Sequence, residues 1–315
     1  MKRILLVKTS SLGDVVHNLP VASDIRRHFP DALIDWVVEE PYAAIVAMHP
    51  AVRRVIPVAL RRWRRRLLAG ATWKEIGEFR RLTHSERYDA VIDTQGLVKS
   101  AIIGRAARGP HHGFDAGSAR ESLAARFYEV RHPISRDQHA VAKNRMLAAA
   151  ALGYRVEEPA DFGIVAPLQV PEKAYCVLLH GSGRREKLWA EESWIGLGRQ
   201  LSAQGLNCVL PWGSEEERRR SERIAQHLST ASIPPHQPLD RMVALLAGAA
   251  AIVGVDTGLT HLAAALGRPV VAIYCGTDPH LYGVYGARRA RNLGGPGETP
   301  RPAEVMQTLE VVKAI

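Results

Sequence analysis

Cysteine is scarce in this chain. Three residues in 315, Cys176, Cys208 and Cys275, have neither disulfide-framework nor metal-knuckle spacing. Each lies in or beside an apolar run, which predicts buried free thiols and a reducing compartment. Long apolar runs are missing too. No stretch approaches the ~20 residues of a transmembrane helix. Residues 245–255 come nearest, and they read as a helix end running into a strand. The first eight residues, Met1 to Lys8, start positively, but their apolar run is too short for a signal peptide and a charge follows at once. Nucleotide motifs are incomplete. His180-Gly181-Ser182-Gly183-Arg184 offers Gly-x-Gly, but Glu186 stands where the third glycine belongs, which argues against a dinucleotide-binding oxidoreductase. There is no P-loop, no Gly-x-Ser-x-Gly elbow and no His-Glu-x-x-His zinc helix. Aromatic residues make up only 6%, and no helix-turn-helix or RNA-binding signature appears.

Core material, by contrast, is ample, with 46% hydrophobic and 23% charged residues. The length suggests about two domains. Net charge is +10. That points to an anionic partner: nucleic acid, a membrane surface or a phosphorylated substrate. Arg61, Arg62, Arg64, Arg65 and Arg66 cluster around Trp63. They repel one another, and a bound polyanion would relieve that. A solvated face is the even alternative.

Apolar runs and helical periods alternate along the chain, the mark of parallel βαβ units. Strands are expected at 4–7, 33–38, 54–58, 90–93, 175–179, 207–210, 251–255 and 270–274. Helices are expected at 14–28, with Pro20 as a possible kink, and at 41 onward, 73–82, 96–107, 139–152, 190–203, 215–227, 239–246, 259–266 and 303–313. Pro159, Pro167 and Pro171 interrupt the pattern and mark an interdomain linker.

Two strand ends carry chemistry. After the first strand comes Lys8-Thr9-Ser10-Ser11-Leu12-Gly13-Asp14. Gly13 permits a tight turn, and Asp14 falls at a helix start, as an N-cap or as a proton acceptor from a substrate hydroxyl. Far downstream lies Val255-Asp256-Thr257-Gly258-Leu259-Thr260-His261. Thr257 caps a helix, or it joins Gly258 in a phosphate cradle at the helix N-terminus. His261 shares the face of Thr257 one turn on. Lys187 follows the 175–179 strand, as a solvated lysine or a diphosphate clamp. Glu215, Glu216 and Glu217 open a helix, where the dipole favours them.

Several segments together resemble the lipopolysaccharide heptosyltransferases of glycosyltransferase family 9, in particular those that make the first heptose transfer. They are Lys8 to Asp14, Asp35-Trp36-Val37-Val38-Glu39-Glu40, Arg61-Arg62-Trp63-Arg64, Tyr88-Asp89-Ala90-Val91-Ile92-Asp93, Gln95-Gly96-Leu97-Val98-Lys99-Ser100 and Asp256-Thr257-Gly258-Leu259. The match spans almost the whole chain and keeps the motif order. It implies an α/β protein of the GT-B class, two Rossmann-like domains facing an interdomain cleft. An acceptor-binding domain would cover 1–160 and an ADP-heptose-binding domain 171–315. Residues 161–170 would link them, with the C-terminal helix free to pack back on the first domain. The implied reaction is inverting transfer of L-glycero-D-manno-heptose from ADP-heptose to Kdo of the inner core, on Kdo2-lipid A, without metal or other cofactor. Asp14 would be the general base. Lys187, Thr257 and Gly258 would hold the diphosphate, Asp256 would meet the heptose hydroxyls, and His261 would support that loop beside Leu259. Ser182 and Glu215 would lie near the nucleotide, with Glu216 or Glu217 as alternatives for the latter. Gly183 stands where the family pattern has a hydroxyl side chain. Arg61, Arg62, Arg64, Lys99 and Arg120 would receive acceptor carboxylates and phosphates. The resemblance also implies a cytoplasmic protein, peripheral on the cytoplasmic face of the inner membrane, in contact with its anionic surface and not with nucleic acid. Two alternatives stay open: a heptosyltransferase acting later in the core, and a basic nucleic-acid-binding protein.

Overall fold

The computed structural model describes residues 1–166 and 171–315. Positions 167–170 of the expected linker lie outside the described residues. The chain divides into two compact units, Met1–Ile164 and Val165–Ile315. Each is built on a parallel six-stranded sheet.

In the first unit the strands are β1 (Arg3–Val7), β2 (Leu33–Glu39), β3 (Val52–Val58), β4 (Ala90–Asp93), β5 (His111–Phe114) and β6 (Val130–His132), in the order β3-β2-β1-β4-β5-β6. In the second they are β7 (Tyr175–Leu179), β8 (Asn207–Val209), β9 (Ala231–Ser232), β10 (Ala251–Val255), β11 (Val270–Tyr274) and β12 (Ala290–Gly294), in the order β12-β11-β10-β7-β8-β9. Counted from its own first strand, each sheet runs 3-2-1-4-5-6, the doubly wound Rossmann order.

Helices cover both faces of such a sheet, so its central strands are continuous apolar runs. Ile4, Leu5, Leu6 and Val7 of β1 are fully buried, as is every residue of β10. β5, β6, β9 and β12 are not legible as apolar runs. Arg131 of β6 and Arg291 of β12 are exposed, because margin strands need less apolar side chain.

Proline explains one departure from the expected helices. Residues 12–28 form two helices, Leu12–Val16 and Leu19–His28, and Pro20 lies in the first turn of the second. Its missing N–H costs nothing there, so it starts a helix and does not kink one. The arginine cluster folds as a helix, Leu60–Arg65, anchored by Trp63. The Trp63 ring packs on Phe79, and its indole N–H donates to Glu75 Oε2 at 2.7 Å. The C-terminal helix Pro302–Ala314 contributes Val305, Met306, Leu309 and Val312 to the second unit's core, beside Leu197, Val253 and Ile273. The helix thus completes the apolar cover of its own sheet.

A buried ion pair ties helix Leu19–His28 to helix Ala140–Leu152. The Arg145 guanidinium donates to both oxygens of Asp24 at 2.7 and 2.9 Å. Removing one partner strands a buried charge, whereas replacing both with apolar side chains leaves none. Asp24→Ala should destabilise the first unit by about 3–5 kcal/mol. Asp24→Leu with Arg145→Met should recover most of it in urea unfolding. Equal losses in both variants would remove the stranded-charge explanation.

Candidate active site

In a doubly wound sheet the loops after the first and fourth strands leave in opposite directions and open a crevice. In the first unit those strands are β1 and β4, paired from Ile4↔Ala90 to Val7↔Asp93. Lys8, next along, is buried, and its ammonium donates to Thr94 O (2.8 Å) and Asn144 Oδ1 (3.3 Å). Burial pushes its pKa below the usual range, against the pull of Asp14 and Asp93. The Gln95 amide then clamps the following turn. Its Oε1 accepts from Thr9 N (2.7 Å) and Thr9 Oγ1 (2.8 Å), and its Nε2 donates to Ser10 O (3.0 Å). Gln95 is itself held by Asp93, whose Oδ1 accepts from Gln95 N at 2.8 Å and whose Oδ2 accepts from Ser100 Oγ and Tyr128 OH at 2.7 Å each. Burial still raises the Asp93 pKa over these bonds.

Asp14 emerges from this braced turn. It is not the N-cap: Ser11 is, and Asp14 is the third helical residue of a capping box. Ser11 N and Oγ donate to its Oδ2 at 2.9 and 3.1 Å, and Oδ1 takes neither bond. Arg120 Nη1 lies 3.9 Å from the same Oδ2. Lys99 Nζ donates to Ser10 Oγ at 3.2 Å. The arginine segment reaches this group through Glu39, the last residue of β2. Burial raises the Glu39 pKa, and the nearby charges of Arg61 and Lys99 oppose the rise. Arg62 is engaged elsewhere, with Glu40 (3.0 Å) and Glu75 (2.8 Å). Arg64 is exposed and forms no ion pair among the described residues.

In the second unit the corresponding strands are β7 and β10. His180, directly after β7, is buried with Nε2 2.7 Å from Ser221 Oγ. Burial, aided by the Arg220 charge, lowers its pKa to about 4. Gly181 follows, and a Cβ there would collide with the Glu217 side chain. The loop ends in a turn, Arg185–Lys187, that brings Lys187 Nζ 2.6 Å from Asp256 Oδ2, just past β10. Asp256 Oδ1 lies 3.4 Å from His261 Nε2. Burial works against the Asp256 carboxylate, but His261 and Lys187 outweigh it and hold its pKa well below the carboxylate range. Thr257 is the N-cap of helix Gly258–Ala265 yet makes no side-chain cap bond, so the capping role is not realised. Thr260 Oγ1 instead donates back to Val255 O at 2.7 Å. Beside this helix start lies a cavity of about 180 Å³, lined by Gly181, Trp212, Glu217, Met242, Thr257 and Leu259. Glu215 points elsewhere and pairs with Arg218 at 2.9 Å. Ser182 Oγ is 3.5 Å from Arg184 N. Among the described residues no three His, Cys, Asp or Glu side chains converge as a metal cage.

A family model described as glycosyltransferase family 9 (heptosyltransferase) matches residues 76–310. The chain belongs to this family. Lipopolysaccharide heptosyltransferase 1 of Escherichia coli K12 is 44% identical over 290 residues, 90% of this chain and 91% of the relative. The Pseudomonas aeruginosa protein of the same name is 46% identical over 294 residues, 90% of this chain and 81% of that protein. A solved structure, E. coli heptosyltransferase WaaC with ADP, superposes with a TM-score of 0.90 at 42% identity, covering 98% of this chain and 99% of that one. Two Rossmann-like domains in such a chain make this heptosyltransferase a member of the GT-B class.

Within this heptosyltransferase fold, Asp14, Lys99 and Arg120 gather at one strand end, and Lys187, Asp256, Thr257, Gly258, Leu259 and His261 at another. Glu217 lines the cavity and Glu215 does not. Three contributors carried no usable sequence signal. Gln95 has no motif of its own, Trp212 follows a strand end, and Met242 lies inside an expected helix. His180 yields a pH test. The unfolded histidine titrates near 6.5 and the folded one at about 4. Between those values the unfolded chain binds the extra proton, so stability is full above about pH 6.5 and falls as pH drops toward 4. The loss should reach on the order of 3 kcal/mol. His180→Gln should be less acid-sensitive than the parent in urea unfolding at pH 7.5 and pH 5, and equal sensitivity would exclude His180 as the source.

Proposed function

We propose that this chain is an inverting glycosyltransferase that moves L-glycero-D-manno-heptose from ADP-heptose to Kdo of the lipopolysaccharide inner core. The observation that carries the reading is its 44–46% identity, over 90% of its length, to proteins named lipopolysaccharide heptosyltransferase 1. The first unit would hold the acceptor and the second the nucleotide sugar.

Asp14 is the proposed base. Its Oδ2 is occupied by Ser11, leaving Oδ1 to accept the proton of the attacking Kdo hydroxyl. As that oxygen bonds to the anomeric carbon, the bond to the β-phosphate breaks and negative charge gathers on ADP. Lys187 and the open N–H groups at the start of helix Gly258–Ala265 would stabilise that charge. Asp256, kept ionised by Lys187 and His261, would accept from heptose hydroxyls. Glu217 at the cavity wall would accept from the ribose, with Ser182 near the phosphates and Glu215 more remote. Arg61, Arg64, Lys99 and Arg120 are the proposed anion contacts for the acceptor. Arg62 joins them only by exchanging Glu40 or Glu75 for an acceptor anion. Among the described residues no helix is long and apolar enough to cross a membrane, and peripheral contact with the anionic inner face of the inner membrane is proposed.

Release of ADP from ADP-heptose should require a Kdo-bearing acceptor. Asp14→Ala should lower kcat by roughly 10²–10⁴ while ADP affinity by calorimetry stays unchanged. Acceptor-independent ADP release, or near-normal turnover of the variant, would count against the mechanism.

The arginine segment is tested separately. Arg61→Ala with Arg64→Ala should raise the acceptor KM and flatten its salt dependence, because steering by charge is screened by salt. The ADP-heptose KM should hold steady, and a parallel rise in both constants would show that the segment supports the fold.

A further inference from the structure

Between helices Leu60–Arg65 and Gly70–His84 lies a connection whose construction is not that of a loose loop. Trp63 and Phe79 anchor its base in the core of the first unit. Its backbone is then pinned by side chains. Thr72 Oγ1 donates to Arg66 O at 2.8 Å, and the Trp73 indole N–H donates to Leu67 O at 2.9 Å. Backbone bonds from Ala69 to Arg66 and from Thr72 to Ala69, each 3.0 Å, close the turn.

What this pinned turn displays is apolar. Leu68 is 103% exposed, Trp73 61% and Leu67 51%. Exposed leucines are common one at a time, but three large apolar side chains held together on a braced turn need a reason. Their surroundings are cationic: Arg64, Arg65, Arg66 and Lys74 are exposed and form no ion pair among the described residues. An apolar tip ringed by uncompensated basic side chains, with an indole whose N–H is already satisfied, matches the boundary of an anionic bilayer. The leucines and the indole enter the acyl edge, and the cations meet lipid phosphates. A nucleic acid would use the cations but leave Leu67 and Leu68 in water.

We propose that the Arg64–Lys74 turn is the membrane-docking surface of this protein, seating Leu67, Leu68 and Trp73 in the headgroup–acyl boundary of an anionic leaflet. This deepens the proposed peripheral contact by naming the surface that makes it. The test needs no sugar. The full chain is sedimented with vesicles of phosphatidylcholine alone and of phosphatidylcholine with about one-third phosphatidylglycerol. Binding is expected to the anionic vesicles, to weaken with salt, and to come with a blue shift in tryptophan emission that Trp73→Phe removes. Leu68→Glu touches nothing in the fold and should weaken vesicle binding at least about tenfold, by losing apolar insertion and adding like-charge repulsion. Arg65→Gln with Arg66→Gln should weaken it on the order of tenfold and reduce its salt dependence. ADP binding by calorimetry should be unchanged in each variant. If the parent does not bind anionic vesicles, peripheral docking itself is wrong. If the parent binds and Leu68→Glu binds equally well, docking occurs elsewhere and this surface is refuted. If Leu68→Glu instead dissolves a self-association seen by sedimentation velocity, the turn is a contact between copies and the membrane assignment falls.

Discussion

The parallel pairing of first and fourth strands governs both halves of this molecule. β1 lies beside β4, and β7 beside β10, in sheets of the same order. The chain must cross the sheet to make each pair, and it crosses on opposite faces to either side. Loops leaving the two strand ends therefore diverge, and the space between them is open. Asp14, Ser182, Lys187, Asp256, Thr257, Gly258, Leu259 and His261 all sit at one of these four strand ends or in the segment that follows it, whereas Glu215 and Glu217 open the helix after β8.

The two crevices are furnished differently. The first is braced by an amide, with Gln95 bonding three groups of Thr9 and Ser10 and resting on buried Asp93. This fixes a carboxylate, Asp14, with one oxygen committed and the other not taken up by Ser11. The second is braced by charge, with Asp256 between Lys187 and His261 and kept ionised by them. One suits proton acceptance and the other receipt of a phosphate. Both are served by short, locally hydrogen-bonded turns, so the geometry of the candidate site is held by backbone that cannot drift far.

The arginine segment shows why net charge alone is a weak guide. Five arginines lie between positions 61 and 66. Arg62 is neutralised by two glutamates, Arg61 faces buried Glu39, and Arg64, Arg65 and Arg66 remain unpaired among the described residues. The helix periodicity that turns Trp63 inward sorts these neighbours into separate roles.

The sequence by itself determined the class of fold and the location of the chemistry. Apolar runs such as Ile4 to Val7 and Ala251 to Val255 are long enough to be central parallel strands, and small polar residues after them mark strand ends. Those features are local, because burial on both faces forces an apolar run and a tight turn demands Gly or Ser. The margin strands β6, β9 and β12 were not legible, because at a sheet margin burial constrains composition less, though β3 at the other margin of the first sheet kept enough apolar residues to be read. Pro20 was legible as a disturbance but not as a helix start, since the boundary at Asn18 is set by packing. The choice among Glu215, Glu216 and Glu217 was likewise beyond sequence. All three satisfy the helix dipole equally, and it is the fold that sets Glu217 against Gly181 and in the cavity wall. The Gln95–Thr9 and Lys187–Asp256 contacts were decided by tertiary structure alone, because partners 86 and 69 residues apart meet only when strand order brings their loops together.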